Sequence, residues 1–178
     1  MKFFPRRFFR FTFSSLVWIG VAFADFLSPP PDLIEKDIPE IKMKFVMPKD
    51  WHFKKTGGRY TFTEKNPGLF GCYDTGLEAK IDLHSKEKDP EGFIKKKLEE
   101  LFSKGEVVKA IERQENKPVV SFSGILKTKK DTRAYTLMAN KTTKTIYLLS
   151  FRAPSSNWSG LWERGKFMIG SFSMDDEI

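Results

Sequence analysis

Three side chains on one short segment have the chemistry to hold a divalent ion. In "GLEAKIDLHS", residues 76–85, alternation sends Leu77, Ala79, Ile81 and Leu83 to one side of a strand and Glu78, Lys80, Asp82 and His84 to the other. Two carboxylates and an imidazole are ordinary donors for a metal, and Asp82 and His84, two residues apart, share a face. The same residues serve equally well as a solvated or ion-paired strand surface. Cys72, the only cysteine, offers a thiol nucleophile with His84 as its base. The intervening strand, however, carries His84 away from the loop that holds the thiol. His52, between Trp51 and Phe53, reads as a turn residue. No serine sits in a Gly-x-Ser-x-Gly elbow, Ser159 has no acid or histidine spaced to serve it, and no phosphate-cradling glycine loop is present. The sequence therefore predicts no catalytic residue and no cofactor.

Cys72 belongs to "NPGLFGCYDTG", residues 66–76, a glycine-rich loop that also carries Leu69, Phe70 and Tyr73. Three readings stay open. The loop folds back and buries Leu69, Phe70 and Cys72. Alternatively, Leu69, Phe70, Cys72 and Tyr73 belong to an exposed partner-binding patch, or Cys72 pairs with another molecule.

The elements that position these groups follow from periodicity. "GRYTFTE" and "GLEAKIDLHS" alternate as two antiparallel strands on either side of the loop. A helix is predicted over about 90–104: Asp89 is its cap, Pro90 its first residue, and Gly105 follows its last turn. Phe93, Ile94, Leu98, Leu101 and Phe102 form its apolar face. Val107 and Val108 open a strand, and "KPVVSFSGILK", "RAYTLMAN" and "KTIYLLSFRAP" continue as a meander whose short links require antiparallel pairing. A second helix, about 157–170, places Trp158, Leu161, Trp162, Met168, Ile169 and Phe172 on one stripe, with Ser155, Ser156 or Asn157 available as its cap. Gly160, Gly165 and Gly170 weaken it intrinsically, so docking of the tryptophans must hold it.

Net charge and targeting go together. Lys2, Arg6, Arg7 and Arg10 precede thirteen mostly apolar positions, Phe11 to Phe23, that end in Ala22-Phe23-Ala24. This pattern describes a signal peptide over residues 1–24, cut after Ala24; the run is too short for a membrane anchor. Arg6-Arg7-Phe8-Phe9 leaves general secretion and twin-arginine export both open. Removing residues 1–24 takes away four basic side chains and no acid, lowering the formal charge from +8 to +4. Nucleic acid is not an expected partner, because the basic run "KTKKDTR", residues 127–133, reads as a solvated hairpin tip with no aromatic groove motif. Residues 25–41, with Pro29, Pro30, Pro31 and Pro39, read as a proline-rich linker, and residues 42–178 as one domain.

Two amphipathic helices and about six or seven antiparallel strands require each helical stripe to meet a sheet face. The expected class is α+β, an α/β/α sandwich around a mainly antiparallel sheet. Particular segments resemble a known family. "KFVMPKDW", a strand ending in proline and then tryptophan, and "YLLSFRAPSSNW" followed by a helix and "GSFS", are similar to the opening and closing motifs of the PsbP-like family. The resemblance implies the sandwich shared with a Ran-binding Mog protein and with exported bacterial proteins. It also implies a non-catalytic role in binding or assisting the assembly of other proteins, here another cell-envelope or periplasmic protein. A small-ligand or divalent-metal-binding periplasmic module is the alternative.

Overall fold

The computed structural model describes residues 32–38, 43–64, 75–82 and 88–174, with the backbone alone for Met43, Ile81, Asp82, Ser173 and Met174. The elements in chain order are β1 (Leu33–Ile38), β2 (Met43–Pro48), β3 (His52–Thr56), β4 (Arg59–Thr63), β5 (Gly76–Asp82), α1 (Pro90–Phe102), β6 (Glu106–Asn116), β7 (Val119–Lys127), β8 (Asp131–Asn140), β9 (Thr145–Pro154), α2 (Trp158–Gly170) and β10 (Ser173–Met174).

Seven strands form one antiparallel sheet in the order β3-β4-β5-β9-β8-β7-β6. Its register separates two apolar faces. Ala134 pairs with Phe151 and Met138 with Tyr147, while Leu137 pairs with Leu148 and Ala139 with Ile146 on the opposite side. The first set belongs to a core cluster with Phe62, Leu77, Met168 and Phe45, and the second to a cluster with Ile94, Leu98 and Phe102. One face therefore meets α2 and a small sheet, β1-β2-β10; the other meets α1. The expected α/β/α sandwich is present, and part of one outer layer is itself made of strands.

Each helix forms for a local reason and is held by a distant one. Asp89 caps α1 by accepting the Gly92 N–H at 3.0 Å, and Pro90 occupies the first turn. Ile94, Leu98 and Phe102, four residues apart, are the buried line. Where Phe102 reaches the sheet, position 124 has to be glycine, because a Cβ there would stand 2.6 Å from Phe102 Cζ. In α2 none of the expected side-chain caps is used; a 3₁₀ turn, Ser155–Asn157, leads in, and Asn157 makes no side-chain capping hydrogen bond. Docking holds this helix, as the sequence requires. Trp158 and Trp162 stack at 5.0 Å and lie 6.0 and 5.7 Å from the ring of Phe151. Trp51 stacks on Phe151 as well, at 6.3 Å.

Two segments differ from expectation. Part of the residues 25–41 read as a linker forms β1, which pairs with β2 from Leu33↔Pro48 to Ile38↔Met43 and buries Ile38. Extended geometry between prolines suits an edge strand as well as a tether, and the partner β2 decides. His52, read as a turn residue, instead opens β3, because the turn closes one residue earlier, where the Trp51 N–H donates to the Pro48 carbonyl at 3.1 Å and the chain passes from one sheet to the other.

Candidate interaction surface

Glu78 and Asp82 belong to β5, as the alternation requires, with Leu77 and Ala79 buried on the opposite face from Glu78. Glu78 is held by Arg59 of β4, Oε1 to Nε 3.2 Å. The Asp82 side chain and His84 lie outside the described residues, so the metal-binding trio stays an expectation. Leu69, Phe70, Cys72 and Tyr73 also lie outside them. The strands this segment joins are described: Thr63↔Gly76 is the last pair of the β4–β5 ladder, an antiparallel connection as expected.

Around Glu78 the register builds a wing on β3, β4 and β5 that continues onto β9, where the α1 layer begins, since α1 packs over β6–β9. Three rows run across it: His52, Thr63, Gly76, Arg152; then Lys54, Thr61, Glu78, Ser150; then Thr56, Arg59, Lys80, Leu148. His52, Lys54, Thr56, Arg59 and Lys80 are exposed. Among the described side chains in these rows, four cations, Lys54, Arg59, Lys80 and Arg152, face one anion, Glu78. The composition of single strands hides this surplus, because each contributes only one or two charges to the face.

Beside the wing, Asp131 anchors the β7–β8 turn. Its carboxylate accepts hydrogen bonds from Thr128 Oγ1 at 2.7 Å and from Arg133 Nε and a terminal nitrogen at 3.0 and 2.8 Å; Arg152 lies 3.9 Å away. Burial pushes this carboxyl up, but the bonds from Arg133 and Thr128 and the nearby guanidinium charges outweigh it and lower the net value. Lys127, Lys129 and Lys130 of the basic run are exposed at this hairpin tip, as expected. On the α1 side, Glu91 takes Arg113 at 2.8 Å and Lys141 at 3.0 Å, and Glu115 takes the same two cations. Hydrogen bonds from Arg113 and then Lys141 lower Glu91 to about 2. This network ties the start of α1 to β6 and to the β8–β9 turn.

No family model matches the chain, and no curated protein matches it. Solved structures do. The chain is similar to cyanobacterial PsbP (CyanoP) from Synechocystis sp. PCC 6803, with 12% identity and a TM-score of 0.56, over 83% of this chain and 95% of that one. It is also similar to the Saccharomyces cerevisiae Ran-binding protein Mog1p, with 10% identity and a TM-score of 0.51, over 79% and 94% of the two chains. A mutant form of Mog1 gives 10% identity and a TM-score of 0.53, over 82% and 97%. The chain has the fold that PsbP and Mog1 share, as the sequence motifs imply.

Proposed function

We propose that this chain is an exported, non-catalytic protein-binding or assembly-assisting domain, working in the periplasm or outside the cell after removal of residues 1–24. The observation that carries the reading is the basic wing, whose His52, Lys54, Thr56, Arg59 and Lys80 are exposed among the described residues. An antiparallel face whose described side chains set Lys54, Arg59 and Lys80 against Glu78, with Arg152 beside Asp131 at its border, complements an acidic protein surface and steers its approach. The partner is then another cell-envelope or periplasmic protein with a carboxylate-rich patch. One protein of this fold is, by name, Ran-binding, which supports binding as a use of the architecture. Among the described residues no helix is long and apolar enough to cross a membrane.

The test begins with the protein recovered from the periplasm or medium of expressing cells. N-terminal sequencing should find Asp25 first; a protein retained inside the cell with Met1 intact would defeat the export reading. The recovered protein, immobilised, is then mixed with envelope extract at rising salt, beside a Lys54→Glu/Lys80→Glu variant. A partner retained at low salt, released as salt rises and absent from the variant supports the wing. Retention of nothing at any salt refutes the binding role, and equal retention by the variant refutes the surface assigned to it.

A further inference from the structure

The opposite face of the sheet holds a cleft of about 160 Å³ between α2 and the β6–β8 end. Its floor is two neighbouring cross-strand pairs, Ser123↔Thr136 and Ile125↔Ala134, and Trp162 and Ile169 of α2 form its inner wall. Lys166 of α2 and Lys109 of β6 also line it. Lys109 owes its place to irregular pairing. Register shifts fall on both sides of it, between Val107 and Lys109 and between Lys109 and Glu112. Such bulges bend a strand and re-aim its side chains. Val107 and Val108, at the start of this exposed edge strand, are 51% and 54% exposed.

We infer that this cleft is a binding site for a small carboxylic acid whose apolar body is about the size of a phenyl ring. A dry cavity of about 150 Å³ admits benzene, so the space suits one ring beside Trp162, with the carboxylate between the two ammonium groups and the hydroxyls of Ser123 and Thr136 below. Each ammonium already has a neighbour: Lys109 pairs with Glu112 at 3.0 Å and Lys166 with Glu163 at 2.6 Å. Those glutamates are 50% and 69% exposed, so water screens their side of each pair, while Lys166 itself is 24% exposed and Lys109 52%. They set the charge of the ligand, because two nearby carboxylates tolerate a monoanion and repel a dianion. The inference concerns a different face from the basic wing, so either can fail alone.

Phenylacetate is the probe, titrated into the purified protein and followed by ligand-observed NMR, with phenylacetamide as its neutral counterpart. Phenylacetate should bind with a Kd of about 0.1–1 mM, the range open to a ligand of this size. Phenylacetamide and a Lys109→Met/Lys166→Met variant should each bind about tenfold more weakly. Thr136→Val, nearly isosteric, should weaken phenylacetate by a smaller factor. A third arm uses a short peptide ending in phenylalanine and its C-terminally amidated form. Tighter binding of the free-acid peptide alone keeps the chemistry and assigns the natural source to a chain end. Equal binding of acid and amide, an unaltered Kd in the double variant, or no binding to either acid at about 10 mM would overturn the inference.

Discussion

Replacing Gly165 by alanine should destabilise the protein, whereas the same change at Gly160, in the same helix, should stabilise it. Alanine in place of a helical glycine gains about 1 kcal/mol from propensity alone. At Gly160 nothing lies within 4 Å of the added carbon, so that gain is kept, at about 0.5–1 kcal/mol. At Gly165 the carbon would stand 2.7 Å from Cγ and Cδ1 of Phe151 and 2.8 Å from Cδ2, well inside ordinary contact. Phe151 has nowhere to tilt, being fully buried with Trp51, Trp158 and Trp162 against it. The helix must lift instead, and overpacking of this kind costs up to about 3 kcal/mol. Subtracting the propensity gain leaves a loss of about 2 kcal/mol, or about 4–8 °C in Tm for a domain of this size. Gly160→Ala should raise Tm by about 2–4 °C at most. Urea unfolding followed by tryptophan emission reads both variants, since Trp158 and Trp162 ride on α2. A Gly165→Ala protein as stable as the parent would refute the seating of α2 on Phe151.

Asp89→Ala removes the one side-chain acceptor at the start of α1 and should cost about 1 kcal/mol, measured as a lower urea midpoint with unchanged slope. Glu91, lowered from 4.5 to about 2 by Arg113 and Lys141, contributes stability that is complete above about 4.5 and lost as pH falls toward 2. Glu91→Gln should therefore flatten that part of the acid limb in a pH series of denaturation midpoints. Because the side chain is about a third exposed, the difference at neutral pH should be about 1 kcal/mol or less. Phe62→Ala, at a fully buried ring 4.5 Å from Phe45, should cost about 3–5 kcal/mol. Phe53→Ala, on edge strand β3 and 39% exposed, should cost about 1–2 kcal/mol. Equal losses in the two phenylalanine variants would show that the register placing Phe62 inside and Phe53 at the rim is wrong.

Local signals account for what was readable in advance. Asp89 and Pro90 announce α1 because capping is chemistry within four residues, and the β7, β8 and β9 meander follows from short polar links between alternating runs. Both helical stripes name the residues that dock. What stayed hidden depends on partners far along the chain. β1 lies between prolines, and only β2 makes it a strand. β10 has two residues and exists because it pairs with Lys44 and Met43. Lys109 carries no local mark of a site, since its aim comes from bulges measured against β7. The basic wing likewise appears only when four strands are set in register. The loop bearing Leu69, Phe70, Cys72 and Tyr73 stands out by composition alone, which carries no signal of how it folds.

The small sheet joins residues made early to residues made much later. β2 lies between β1 and β10, and the Val46 N–H donates to Ser171 Oγ across 125 positions of sequence. On the ribosome, Phe45 and Met47 wait without their covering layer until α2 and β10 have emerged. Contacts of such long span form late, because a large loop must close before they reward it. The growing polypeptide thus has no finished core on that side until α2 and β10 have emerged, and any truncation before α2 strands the apolar face of β2.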